Sequence, residues 1–530
     1  MQTTAFCAAF FLCLPCAAAT DLYINAQTFG LTAGGTTALG PANKIALQKV
    51  IDSLGTTGGT VAIPCGFYYV DPGIALTTKN THVTVKGCAN GWSYEPKTLI
   101  FTPNFNPSSY EGGTVIRWSA AGAIGFDLSQ INTTNPNGNR VTLSDMVIAG
   151  TPGAAVQTCI KASGMVHLLN LDVEGCTNKG IWLYQFINSA LIDRVSALNN
   201  TGGTGYGLFV GSGGVTFRDN TVFRITNSTF RQNTVGMRIE QGNTYKVDNT
   251  VIESNAAEGL ILFKQATPGP SVDGGPNVTK QHSQNSHGNF DNVWFENNGA
   301  SSNNVNNVRI YSATPKSYAA VDVPNNITFK NARFTSSKGG AGGWKPNISI
   351  ENGIRIRFEN SVISTPDPFA DGLLRSPVAL DSYSQYVSFH STLNNGLSNA
   401  VISDKGSMNV PYDWDEYDSF VVTLTGCTTA KTGTAHYVRA GRRITIDWPA
   451  LSCTTAGPGT HTLTGMPGAL AAASPKQFVM TATNGTVSSF GSAVLKGGAL
   501  TLYPNASGVA WTAGGVFALP PMQTTYTQLR

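Results

Sequence analysis

From about residue 165 to residue 365 the chain repeats one pattern: apolar and polar positions alternate for a few residues, break at Asn or Gly, then resume. The phrases are NLDVEGCTNKGIWL, DRVSALNNTGGTGYGLFV, NSTFRQNTVGMRI, NTVIESNAAEGLIL, NVWFENNGASSNNVNNVRI, NARFTSSKGG and NSVIST. They open at Asn170, Asp193, Asn227, Asn249, Asn292, Asn331 and Asn360, and most intervals run from 22 to 34 residues. Alternation with period two is a strand with one face buried. The intervals lack helical periodicity, which excludes βαβ units and predicts a coil of short parallel strands stacked turn on turn. Val173, Phe230, Ile252, Phe295, Phe334 and Ile363 then share an inward column. The Asn column fits a bend, because Asn tolerates the left-handed region and bonds its own backbone.

A coil of this kind leaves unpaired strand edges at its ends and needs a cap. GPANKIALQKVIDSLG, residues 40–55, supplies one. Leu47, Val50, Ile51 and Leu54 form an apolar helical stripe, with Pro41 in the first turn and Gly55 at the stop. The preceding LYINAQTFGLTAGG and the following GGTVAIPCGFYYV complete an opening that resembles the pectate-lyase-like superfamily of β-helix proteins. The resemblance is specific over residues 22–70, and the repeats extend it to about 400. Gly and Thr stand where many members carry acids after the first Gly. The resemblance implies an all-β, right-handed, single-stranded parallel β-helix and a polysaccharide partner. It does not choose between lyase, glycoside hydrolase, epimerase and tailspike depolymerase.

The composition changes after PYDWDEYDSF, residues 411–420. Alternating runs between Gly-rich turns predict a C-terminal β-sandwich-like domain over 411–530, after a β-helix over 20–410. YVRAGRRITI and LTGMPGAL within it are similar to distal domains of phage tail fibres and tailspikes. That similarity implies a homotrimer or a glycan-contacting tip.

Charge and cysteine narrow the setting. Only 12% of residues are charged and the net charge is +4 without a basic run, so no nucleic-acid partner is expected. The body has no apolar run long enough to span a membrane. Residues 1–19, an apolar core followed by small residues, read as a signal peptide, although no Lys or Arg stands near Met1. That points to secretion, whereas the tailspike similarity points to a virion tail assembled inside a host. Cys7, Cys13 and Cys16 lie in this segment and six cysteines remain, an even number that fits disulfides. Pairing of sequence neighbours gives Cys65 with Cys88, Cys159 with Cys176, and Cys427 with Cys453.

Candidate chemistry follows from the aligned phrases. If the third residue after the bend faces inward, the second and fourth face outward. The fourth column reads Glu174, Ala197, Arg231, Glu253, Glu296 and Thr335; the second reads Asp172, Val195, Thr229, Val251, Trp294 and Arg333. Glycoside hydrolysis needs two carboxylates. Glu253 with Glu296 is the first candidate pair and Asp172 with Glu174 the second. Trp294 offers a plate for a sugar ring, and Arg231 a hydroxyl or carboxylate ligand. Asp193 reads as a turn residue. The 43-residue interval from Asn249 to Asn292 leaves two arrangements open. If residues 264–288 are a loop, the two glutamates sit about 4.8 Å apart by strand spacing; if they hide a turn, about 9.6 Å. His282 and His287 lie there without a metal motif, so no metal or other cofactor is expected for a hydrolase. A lyase would draw on Lys246, Lys264, Arg231 and Arg309, with Ca²⁺ as its cation. A non-catalytic glycan-binding adhesin is the remaining alternative.

Overall fold

The computed structural model describes residues 22–527 except 35, 78–81, 90–111, 131–139, 152–154, 185–187, 203–204, 212–220, 241, 265–284, 300–305, 313–322, 336–345, 365–377, 391, 396–402, 405–413, 441–442, 458, 468–469, 485–486, 504–510 and 512. Residues 1–19, expected as a signal peptide, and His282 therefore lie outside the described residues. The chain is a right-handed parallel β-helix followed by antiparallel strands. Each complete turn lays down three short strands, so the coil has three faces. The turn through Glu253 shows the plan. Residues 242–248 lie on the first face, Asn249 bends the chain at φ 46°, and residues 250–253 lie on the second. Leu260–Lys264 lies on the third face, an eleven-stranded parallel sheet running from Ile74–Thr77 to Ser403–Asp404.

The bend column is built as its residues require. Asn170, Asn227, Asn249, Asn292, Asn331 and Asn360 all have φ between 46° and 54°. Their amides link turn to turn: Asn249 Nδ2 donates to Asn227 Oδ1 at 2.7 Å, and Asn292 Nδ2 to Asn249 Oδ1 at 3.1 Å. One repeat is out of step. Arg194, not Asp193, holds the left-handed position, at φ 54°. Asp193 ends the preceding strand, and its carboxylate takes the place of an amide, accepting from Asn227 Nδ2 at 2.9 Å. A second, buried ladder turns the chain from the second face to the third. It runs from Asn200 through Asn233 and Asn255 to Asn298, each backbone N–H donating to the next side-chain oxygen at 3.0–3.2 Å.

Between the bends the inner column is apolar. Val173, Phe230, Ile252, Phe295, Phe334 and Ile363 are fully buried. On the first face Phe290, Phe329, Phe358 and Phe389 stack at centroid spacings of 4.7, 5.0 and 4.9 Å, so strand spacing sets ring spacing. The helix Gly40–Ser53 closes the first turns with Leu47, Val50 and Ile51 buried. Leu54 ends it and Gly55 follows at φ 50°, the left-handed turn-off that glycine takes at least cost. Trp414–Thr425 makes the change of architecture. Its start pairs in parallel with Thr392–Asn395, and its length pairs antiparallel with Lys431–Ala440. The strands after it pack a separate core around Trp448, Trp511, Tyr437 and Phe517.

All three expected disulfides form, Cys65–Cys88, Cys159–Cys176 and Cys427–Cys453, with Cα separations of 5.3, 5.7 and 5.8 Å. They fit an extracellular or virion location. No described helix is long and apolar enough to cross a membrane.

Candidate functional site on the second face

The strand pairings decide the question of residues 264–288. Gly242–Glu253 pairs directly with Asn285–Glu296, and Glu253 stands opposite Glu296. Leu260–Lys264 pairs directly with Val308–Ser312 on the third face. The two glutamates therefore occupy adjacent turns, about one strand spacing of 4.8 Å apart. Residues 265–284 themselves lie outside the described residues.

Two outward columns run along the second face. In one, Tyr69, Arg117, Ala149, Glu174, Leu198, Arg231, Glu253, Glu296 and Thr335 follow one another turn by turn. In the other, Asp172, Ser196, Thr229, Val251, Trp294 and Arg333 do the same. The expected columns were thus right except in one repeat. Val195 and Ala197 are buried in the core, and Ser196 and Leu198 take their outward places. The shift follows from Arg194 holding the bend: moving the bend by one residue exchanges the faces of the strand after it.

The first candidate pair is tied down. Arg231 Nη1 lies 3.7 Å from Glu253 Oε1. Trp294 is 39% exposed, so it is a surface plate and not a core residue, and the Arg333 guanidinium lies 4.9 Å from its ring centre. The second pair is electrostatically the more unusual. Asp172 is only 6% exposed. Burial pushes its carboxyl up to about 7; Ser196 and Arg231 pull it back, and Glu174 pushes it further. Burial also raises Glu174, against the pull of Arg117. By surface area Glu174 keeps some exposure, so the pair opens outward through Glu174. Arg117 is itself buried, and its Nε donates to Thr151 Oγ1 at 3.2 Å. Phe67, Val115, Val147 and Ala149 form an apolar patch on the same face, just before Asp172.

Other expected residues lie elsewhere. Of the four cations considered for elimination, only Arg231 shares the face of the acids. Lys246 is on the first face, bonded to Asp248 at 3.0 Å. Arg309 is on the third, paired with Glu351 at 2.8 Å, and Lys264 is buried in the third sheet. His287 takes a left-handed bend at φ 55°, with Nδ1 3.2 Å from Ser286 Oγ. Cys427, Cys453 and His461 cluster closely, but the two sulfurs are joined to each other and so are not thiolate ligands. The sequence reading missed Arg117 and Ser196. Arg117 lies before the recognisable repeats, and its only signal was the polar break in TVIRW. Ser196 was hidden by the shifted bend.

No family model and no curated protein matches the chain. Solved structures do resemble it. Geobacillus virus E2 ORF18 aligns at 14% identity and a TM-score of 0.41, over 96% of this chain and 77% of its own. Tailspike gp49 of the Acinetobacter baumannii bacteriophage Fri1, a capsular polysaccharide depolymerase, aligns at 14% identity and a TM-score of 0.38, over 95% and 88%. The mannuronan C-5 epimerase AlgE4 A-module of Azotobacter vinelandii aligns at 12% identity and a TM-score of 0.39, over 73% and 100%.

Proposed function

We propose that the chain is a polysaccharide hydrolase with Asp172 as general acid and Glu174 as general base. The observation that carries this is the Asp172 carboxyl, raised to about 7 in a buried setting beside a second carboxylate. Such a group still holds a proton near neutrality and can give it to a leaving oxygen. Glu174 is the partner carboxyl, raised by burial against the pull of Arg117. The Cα atoms of residues two apart on a strand stand about 6.6–6.8 Å apart, and inverting enzymes hold their carboxyl groups roughly 6.5–9.5 Å apart to leave room for an attacking water. Asp172 protonates the glycosidic oxygen as the bond to the anomeric carbon breaks. Glu174 takes a proton from the water that attacks that carbon. One water is consumed and one reducing end appears.

The rest of the face supports substrate contact. From Glu174 to Glu296 the column spans four turn steps, about 19 Å at strand spacing, room for several sugars. Glu253 is held in an ion pair with Arg231, so Glu253 and Glu296 are assigned to hydroxyl contacts and Trp294 to stacking. The resemblance of the N-terminal opening supports a polysaccharide as the partner.

The test is incubation with capsular, lipopolysaccharide and pectic polysaccharides, reading reducing ends and absorbance near 235 nm. Reducing ends without the ultraviolet band, lost in D172N and E174Q, support the assignment. Both signals together indicate a lyase. Retained activity in D172N with loss in E253Q or E296Q moves the chemistry to the other pair. Binding without any product indicates an adhesin.

A further inference from the structure

The third face carries a group of residues that the assigned chemistry does not use. Lys161, Trp182, Phe209, Arg238, Ile261 and Arg309 stand opposite one another on successive turns and point outward. Two lysines converge on one indole. Lys161 Nζ lies 4.8 Å from the Trp182 ring centre and 3.9 Å from that of Tyr184. Lys179 Nζ lies 4.5 Å from Trp182 and 5.1 Å from Phe209. Trp182 is fixed, because its Nε1 donates to the Gly211 carbonyl at 2.7 Å. Tyr206, Phe209, Val235 and Ile261 pack beneath as one apolar cluster, while Trp182, Phe263 and Tyr311 remain partly exposed.

The nearby acids make their direct bonds to other groups, although Asp127 favours the charged form of Lys161 and Glu240 that of Lys179. Asp127 stands opposite Lys161, but its Oδ1 accepts from the Ser129 N–H at 3.0 Å and from the Ser129 hydroxyl. Glu240 is bonded to Arg238 at 2.7–2.8 Å. Arg309 is likewise held by Glu351. Among the described residues neither lysine ammonium has a carboxylate within ion-pair distance. Burial lowers the proton affinity of both lysines, which shows that water alone does not fully solvate them. A ring quadrupole holds an ammonium in place without cancelling its charge. On an ordinary solvated strand, two lysines would extend into water and away from each other. Here both are held against the same indole.

We propose that this face is a binding site for an acidic, carboxylate-bearing polysaccharide, with Lys161 and Lys179 as carboxylate ligands and Trp182 and Tyr184 as the apolar platform. Charge complementarity selects the anion, and partly exposed rings suit the C–H surface of a sugar. The site lies on another face from Asp172 and Glu174 and does not depend on their role.

The test uses the full chain with polygalacturonate, alginate and hyaluronate, and with the same polymers after methyl esterification. Binding is read by titration calorimetry. We expect at least one acidic polymer to bind, its ester to bind at least tenfold more weakly, and K161Q/K179Q to lose about tenfold for the acid with little change for the ester. W182F should weaken both forms. Wild-type affinity should fall as salt rises from about 50 to about 200 mM. Hydrolysis of short neutral oligosaccharides should survive in K161Q/K179Q, and glycan binding should survive in D172N. Equal binding of acid and ester overturns the proposal, as does salt-independent binding, unchanged affinity in a folded K161Q/K179Q, or no binding of any of the three acids. The salt series and the ester comparison use wild-type protein, so they decide the matter even if a variant fails to fold.

Discussion

A single carboxyl carries the proposed chemistry. Asp172 is outward on its strand and still 6% exposed. Its raised affinity for a proton sets two expectations of opposite use. In the proposed role of general acid Asp172 must be protonated, so kcat/KM should fall as pH rises through about 7, with the rising limb set by Glu174 above its ordinary range. D172N should lose between about 10²- and 10⁴-fold in kcat. For stability, the sign follows from linkage. The folded chain holds this proton more tightly than the unfolded chain does. The contribution is fully present below the ordinary carboxylate value of about 3.9 and is lost as pH rises through about 7. D172N has no charge to bury. It should match wild type near pH 4 and exceed it above pH 7 by on the order of 4 kcal/mol, from about three pKa units. Denaturant midpoints at several pH values check this, and a wild type that stays as stable as D172N at pH 8 would refute it.

At the scale of the turn, two asparagine columns do different work. Asn249 is exposed and needed for its backbone, at φ 46°. N249G should be nearly neutral, while N249V should cost about 1–2 kcal/mol through the left-handed penalty. Asn255 is fully buried and bridges three turns, accepting from Asn233 and donating to Asn298 and the Phe230 carbonyl. N255A strands several of those groups and should cost at least about 2 kcal/mol. Urea unfolding of both variants measures the contrast. The exposed column was legible in the sequence because each of its asparagines starts a phrase, and the inward Phe and Ile positions followed by counting. What counting could not supply was the bend at Arg194. The Asp-Arg pair gave a misleading clue, since Asp normally tolerates the left-handed region better, yet Arg194 takes it. That single step misplaced Val195 and Ala197. The buried state of Asp172 and the third-face lysines were illegible for another reason. Both depend on which side chains meet across turns, and sequence spacing alone fixes columns, not burial.

Over the whole molecule, the coil and the antiparallel strands solve different problems. The coil pairs its strands turn to turn, and the helix Gly40–Ser53 covers its first core residues. At the other end Trp414–Thr425 carries pairing into a sheet with its own core. That sheet leaves apolar side chains in water. Val479 is 80% exposed and Phe490 is 72% exposed. Val479 stands opposite Ser492 and Phe490 opposite Thr481, so the two apolar residues are diagonal neighbours on one surface. Isolated exposed apolar residues are common, but an adjacent pair this open is a natural contact for another copy. We propose a homotrimer as this assembly, the state that the YVRAGRRITI and LTGMPGAL phrases imply. Light scattering on the purified chain should give three times its monomer mass. V479S/F490S should shift that mass toward the monomer while leaving the thermal unfolding of the coil unchanged. A wild type that runs as a monomer at every concentration tested would remove the trimer.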